Sequence, residues 1–140
     1  MTVECFVDTN VLVYAAAGRG RYEDKRRRAL DLLDTHEVGL SAQVLQEFYV
    51  TVVRKVEVPL SAAEAMEWLE QLAAFPCLPV DRPLVETAVG LSELHRISYW
   101  DAAILAAAEA LEAPLLYTED LAHGRRYGAV TAVDPFRDPE

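Results

Sequence analysis

The sequence predicts an α/β fold, a three-layer α/β/α sandwich on a mainly parallel five-stranded sheet. Short β-rich apolar runs alternate with longer helical patterns along all 140 residues. The connections between successive runs are long enough to be crossovers, and strands joined by crossovers of about a dozen residues or more run parallel. No repeat, low-complexity tract or linker interrupts the alternation, so residues 1–140 read as one domain.

Taken in order, Val3 to Val7 is the first strand, followed by a helix from about Asn10 to Ala17 and a Gly-Arg-Gly break at Gly18 to Gly20. A second helix runs from Tyr22 to about Thr35. Glu37 to Leu40 is a short strand, and Ser41 is placed to cap a helix with Val44, Phe48 and Val52 on one face, closed by Pro59. Ser61 and Glu64 form an S-x-x-E capping box before a helix whose Ala62, Met66, Leu69 and Ala73 recur at core spacing. Pro76 to Val80 is the third strand. Pro83 then opens a helix with Leu84, Ala88 and Leu91 inward, and Tyr99 to about Glu112 forms another. Leu115 to Thr118 and Ala129 to Val133 are the last two strands.

Thirteen Lys and Arg against 23 Asp and Glu leave a net charge of −10, with 52% hydrophobic residues. That balance argues against a protein that coats DNA electrostatically, although a small nucleic-acid site charged by metal ions remains compatible with it. No run of about 18 apolar residues occurs. Met1-Thr2-Val3-Glu4 lacks the basic flank and apolar stretch of a signal peptide, so a cytoplasmic protein without membrane contact is expected. Cys5 and Cys77 sit in apolar runs without CxxC spacing or paired histidines and are expected as buried free thiols.

Ligands of open parallel sheets bind beyond the carboxyl ends of the strands, so acids there are the first candidates for chemistry. Asp8 ends strand one in Phe6-Val7-Asp8-Thr9-Asn10, where it also suits a helix N-cap. Glu47 interrupts its helix beside Phe48, near the apolar stripe, although taken singly an exposed glutamate is the simpler reading. Asp101 opens the most apolar helix, although Ser98-x-x-Asp101 also matches a capping box. Asp120 follows the strand Leu115 to Thr118 and is placed to cap the next turn. Each acid has a structural role available, but separate roles do not explain why two strand ends and two neighbouring helices all supply one. Gathered in one cleft, such carboxylates repel and take up protons unless cations lie between them. Oxygen-only donors favour hard ions such as Mg2+ or Mn2+, and two such ions about 3.5 to 4 Å apart suit phosphodiester cleavage.

Four segments in this order and spacing, Phe6-Val7-Asp8-Thr9-Asn10, Glu47 in its helix, Ser98-Tyr99-Trp100-Asp101-Ala102-Ala103-Ile104 and Tyr117-Thr118-Glu119-Asp120-Leu121-Ala122-His123-Gly124, carry a resemblance. Over nearly the whole chain the sequence resembles PIN-domain ribonucleases of the VapC toxin type. The resemblance implies a Mg2+- or Mn2+-dependent endoribonuclease, the toxin of a type II toxin–antitoxin system, with Asp8, Glu47, Asp101 and Asp120 as catalytic and metal-binding acids. Asp8 and Asp101 are the implied principal ligands, with Asn10, Thr118 and Glu119 as supporting candidates. Glu119 beside Asp120 leaves the fourth acid open between them. An RNA substrate, a cognate antitoxin that wraps the toxin and a homodimer are implied as well.

Other features have simpler readings. Lys25-Arg26-Arg27-Arg28 fits a solvated helix face, with Glu23–Arg27 and Asp24–Arg28 at the favourable i,i+4 spacing, as well as an RNA-backbone contact. His123 suits a turn, and Trp68 and Trp100 suit core or subunit contacts. An aspartyl-phosphate phosphatase calls for D-x-D, but Asn10 stands at the second position. A receiver domain, which Asp81 superficially fits, needs a lysine after the last strand, whereas Lys25 and Lys55 are both early. The remaining competitor is a non-catalytic PIN module that binds RNA or a protein.

Overall fold

The computed structural model describes residues 3–138, so Met1, Thr2, Pro139 and Glu140 of the expected domain lie outside the described residues. The chain runs β1 (Cys5–Val7), α1 (Thr9–Ala17), a 3-10 turn (Gly20–Tyr22), α2 (Glu23–Thr35), β2 (Val38–Ser41), α3 (Ala42–Arg54) and α4 (Ala62–Leu72). It continues through β3 (Cys77–Leu78), α5 (Arg82–His95), α6 (Tyr99–Ala110), β4 (Leu115–Tyr117), β5 (Arg126–Tyr127) and β6 (Val130–Val133).

The sheet has six strands in the order β3-β2-β1-β4-β6-β5. All neighbours are parallel except β5 and β6. The expected five-stranded sheet is therefore short by β5, a two-residue strand joined to β6 through Gly128 at φ +64°. A Gly at the first of two linking residues is a hairpin turn signal, and the expected last strand had absorbed Ala129 from that turn. The Val38 and Gly39 pairing with Cys5 and Phe6 keeps β2 beside β1, and every residue of both strands is buried. Burial on both faces is what helices packed on each side of a parallel sheet produce.

From β1 the chain first adds strands on one side, β2 and then β3, and only after α5 and α6 returns to place β4 on the other side of β1. Right-handed crossovers running in opposite directions put their helices on opposite faces, which gives the three layers. α1 packs with α2 and α3, while α6 packs with α5 and lies along β2, β4 and β6. Residues 102–108 of α6 are all buried, five of them alanines, so small side chains let this helix sit close to the sheet. The crevice between β1 and β4, where the strand order reverses, is the place such folds bind ligands.

Three other local expectations need correction. β3 covers Cys77 and Leu78 rather than Pro76 to Val80, and because it is an edge strand Cys77 is exposed, not buried. In α4 the inward positions are Ala65 and Leu72 with Trp68 and Leu69 half-buried, while Met66 is 53% exposed and Ala62 and Ala73 face outward. The capping box of Ser61 and Glu64 fixes where that helix starts, but the apolar residues are dense enough to permit a stripe rotated by one residue. α3 stops at Arg54, ahead of Pro59, and the chain turns back so that the Leu60 N–H bonds the Val52 carbonyl.

Candidate active site

β1 delivers Asp8 to the switch point. The Asp8 N–H continues the parallel ladder to the Tyr117 carbonyl, and its extended backbone lets the side chain cap α1. Oδ1 accepts from the Thr9 N–H at 2.7 Å and Oδ2 from the Thr118 hydroxyl at 2.8 Å. The residue is only 5% exposed. Burial pushes its carboxyl up to about 7, the Thr118 and Thr9 bonds pull the other way, and the charges of Asp120 and Glu47 push it further up. Asp8 is thus a helix cap and a member of an acidic group at once.

Thr118, fully buried at the end of β4, links two acids through one hydroxyl, which donates to Asp8 and accepts from the Asp120 N–H at 3.0 Å. Asn10 Nδ2 donates to Asp120 Oδ2 at 3.3 Å, while Asn10 Oδ1 is buried without a partner. Glu47, half-buried on α3, accepts from the Thr9 hydroxyl at 2.9 Å and from Gln43 Nε2 at 3.3 Å. The same Gln43 amide reaches the Trp100 carbonyl at 3.4 Å, tying α3 to the first turn of α6. There the Asp101 N–H donates to Ser98 Oγ at 3.1 Å. The Asp101 carboxyl is raised by burial and by the charges of Asp120 and Glu47, against a lowering contact with Ser98. It therefore feels the other acids although it is also part of a helix cap.

Asp8, Glu47 and Asp120 line one cavity of about 470 Å³ together with Thr9 and Asn10, while Asp101 stands off its wall. Among the described residues no three Asp, Glu, His or Cys side chains close into a ready-made cage for an ion. The acids are instead held by neutral partners, some of them shared: Thr118 serves Asp8 and Asp120, and Thr9 serves Asp8 and Glu47. The donor chemistry is all oxygen and includes the orphaned Asn10 Oδ1, a set that suits a hard cation retaining several waters.

Glu119 does not line this cavity. It accepts from the Tyr14 hydroxyl at 2.9 Å and pairs with Lys25, whose ammonium lies over the Tyr14 and Phe136 rings. Asp120 alone of the two acids reaches the cavity wall. In the basic run, Lys25 is therefore part of an inward network, while Arg26 takes Glu23 at i,i+3 and Arg28 takes Asp24 at i,i+4 and Asp138. The expected Glu23–Arg27 pair is replaced by Arg27–Asp24 at 3.8 Å. His123 Nδ1 accepts from the Asp134 N–H at 3.0 Å, bracing the turn against the end of β6. Asp81 caps α5. Trp100 is 64% exposed and Trp68 is half-buried against the core.

Gln43, the Thr9 hydroxyl and Tyr14 join the site without having been singled out from the sequence, and Lys25 has a role other than the helix-face or RNA-backbone contact expected of it. For Gln43 a signal existed, because it lies one helical turn ahead of Glu47. Thr9 adjoins a singled-out acid, whereas the pairing of Lys25 with Glu119 crosses most of the chain and leaves no local trace.

An α/β domain with a buried carboxylate at the switch point of its sheet, and further acids gathered around it, is the class of protein defined here. A model of the PIN domain matches residues 5–128, and the chain belongs to the PIN domain family. A search of curated proteins gave no match. Among solved structures the fold is similar to a toxin–antitoxin complex from Klebsiella pneumoniae, at 21% identity over 94% of this chain and 97% of that one, with a TM-score of 0.70. It is also similar to FitAB bound to the IR36 DNA fragment, at 21% identity over 97% and 98%, TM-score 0.69. A third is VapC20 of Mycobacterium tuberculosis, a sarcin-ricin loop cleaving toxin, at 21% identity over 83% and 89%, TM-score 0.66.

Proposed function

We propose that this PIN domain is a Mg2+- or Mn2+-dependent endoribonuclease acting as the toxin of a type II toxin–antitoxin pair. The observation that carries the reading is Asp8, a carboxylate only 5% exposed whose pKa is pushed up to about 7 beside Asp120 and Glu47. A group so placed destabilises an empty fold, and a function for it accounts for the cost. That VapC20 cleaves RNA, and that the Klebsiella pneumoniae structure is of a toxin with its antitoxin, supports the substrate and the partner.

In this reading Asp8 and Asp101 are the principal metal ligands, with Glu47 and Asp120 completing the acidic set and the Asn10 carbonyl as a further oxygen. A divalent ion bound there supplies positive charge to phosphate oxygens and lowers the pKa of water. The chain's own part is to hold donors in place. Thr118 fixes the direction of Asp8 and, through the Asp120 N–H, the turn that bears Asp120. Gln43 and Thr9 orient Glu47. Thr118 belongs to the support, and Glu119 acts through Lys25 and Tyr14 rather than as a ligand.

The partner we propose is an antitoxin segment laid over the acidic cleft, with a basic side chain, arginine above all, pairing with the carboxylates in place of the ions. The free toxin is proposed to be a homodimer in the cytoplasm, and among the described residues no helix is long and apolar enough to cross a membrane. The test is cleavage of RNA by the purified protein. With water as nucleophile the products carry 5′-phosphate and 3′-hydroxyl ends and excess EDTA abolishes them. Undiminished cleavage in EDTA, or 2′,3′-cyclic phosphate ends, contradicts the reading, and RNA binding without cleavage returns the chain to a binding module.

A further inference from the structure

The cavity that holds the acids does not end at them. It continues between α1 and the end of α3, past Val13 and Ala17, to Arg21 in the 3-10 turn and Lys55 just beyond α3. Its volume of about 470 Å³ falls within the range of pockets that enclose a whole small-molecule ligand, about 300–1,000 Å³. That is room for a nucleotide unit, well beyond what a single phosphate needs. Asp8, Glu47 and Asp120 line one part of the wall, and Arg21 and Lys55, with Glu57 beside Arg21, line another, in a chain whose net charge is −10.

Both cations are available. The Arg21 guanidinium lies 4.8 Å from the Tyr22 ring centre and its Nη2 is 3.5 Å from Glu57 Oε1, with the two side chains each 72% exposed. An ion pair that exposed holds a side chain in place without contributing much energy, so an incoming phosphate displaces it readily. Lys55 makes no ion pair among the described residues, and its backbone is anchored by the bond from its N–H to the Thr51 carbonyl.

We propose that Arg21 and Lys55 form a subsite for an RNA phosphate flanking the scissile one, with the intervening sugar and base filling the part of the cavity walled by Val13 and Ala17. The inference rests on the nuclease reading for its substrate class. It accounts for how an acidic protein holds a polyanion: the acids repel the strand, and a cationic anchor one nucleotide away supplies the affinity that they cannot.

The test is the affinity of a labelled single-stranded RNA for wild type, Arg21→Ala, Lys55→Ala and the double variant, each checked by a melting curve and titrated across about 50 to 200 mM KCl. The double variant is expected to bind on the order of tenfold more weakly. Two phosphate contacts at about 0.7 each for a single strand predict a slope of log affinity against log salt flatter by about 1.4. KM rises while the rate on saturating RNA stays unchanged, and Glu57→Gln binds more tightly than wild type. Unchanged affinity and slope in the folded double variant overturn the subsite, as does a wild-type protein that binds no RNA. If the variants bind RNA normally but lose hold of an acidic peptide, the cationic part of the wall serves a protein partner and the proposal is wrong. The two readings fail separately. Variant-sensitive RNA binding without cleavage keeps the subsite and removes the nuclease, whereas cleavage with variant-insensitive binding does the reverse.

Discussion

Replacing Asp8 with Asn separates what this carboxyl does for the fold from what it does for chemistry. Its pKa in the folded protein is about 7 against 3.8 for the free group, a difference of roughly three pH units or about 4 kcal/mol. The folded state holds the proton through a window in which the unfolded chain has released it. Stability therefore falls as pH rises from about 4 to about 7 and is flat beyond, opposite to a carboxyl whose pKa is depressed on folding. Asn carries no charge, so the variant escapes this loss. It forfeits the acceptor for the Thr118 hydroxyl, which is fully buried, at about 1–2 kcal/mol. The net expectation is a variant more stable by about 2–3 kcal/mol at pH 8, a melting temperature roughly 5–10 °C higher for a domain of this size. At pH 4 the order reverses, because the free carboxyl is then only a little more than half ionised and the loss shrinks to about 0.6 kcal/mol, less than the lost hydrogen bond costs. The assay is thermal melting of both proteins in EDTA at pH 4, 6 and 8. A variant less stable than wild type by the same margin at all three values refutes the reasoning, since Asp8 would then act as an ionised cap and nothing more.

Lys25→Met is expected to lower kcat about ten- to a hundredfold with little change in KM, because it frees Glu119 and with it the turn that aims Asp120, whereas Lys25→Arg restores most of the rate. Steady-state kinetics on RNA checks this, and equal losses in both variants contradict a positioning role. Of the two thiols, Cys77 on the edge strand is expected to react with an aromatic disulfide reagent in the native protein. Cys5, buried and with its thiol pushed up to about 12, reacts only after unfolding, and two fast thiols in native buffer would contradict that packing.

The alternation of apolar runs made the sandwich legible, since strands separated by crossover-length helices leave few arrangements. Strand ends were harder to read, and β5 escaped because two residues held by a glycine turn carry almost no periodic signal. The acids could be picked out because Asp8 and Asp120 terminate runs of strong β-formers and Asp101 opens a run of alanines. Their partners could not. Thr118 reaches Asp8 across 110 positions and Lys25 reaches Glu119 across 94, and such pairings exist only after the sheet has brought β1, α2 and β4 together. The same limit explains why Glu119 and Asp120 looked interchangeable in sequence. Only Asp120 lines the cavity, while Glu119 is taken up by Tyr14 and Lys25.

If the acids of this switch point form a metal-dependent nuclease site, Asp101 is where a substitution shows it with the least disturbance of the fold. This residue stands off the cavity wall, and Asp101→Asn keeps both the backbone N–H bond to Ser98 Oγ and a side-chain oxygen for the Ser98 hydroxyl. The decisive measurement is the initial rate of RNA cleavage by that variant at saturating Mn2+, beside a melting curve taken in the same buffer. The variant is expected to fold and to cleave more slowly by on the order of a hundredfold or more. A folded Asp101→Asn protein that cleaves RNA at the wild-type rate would contradict the nuclease reading.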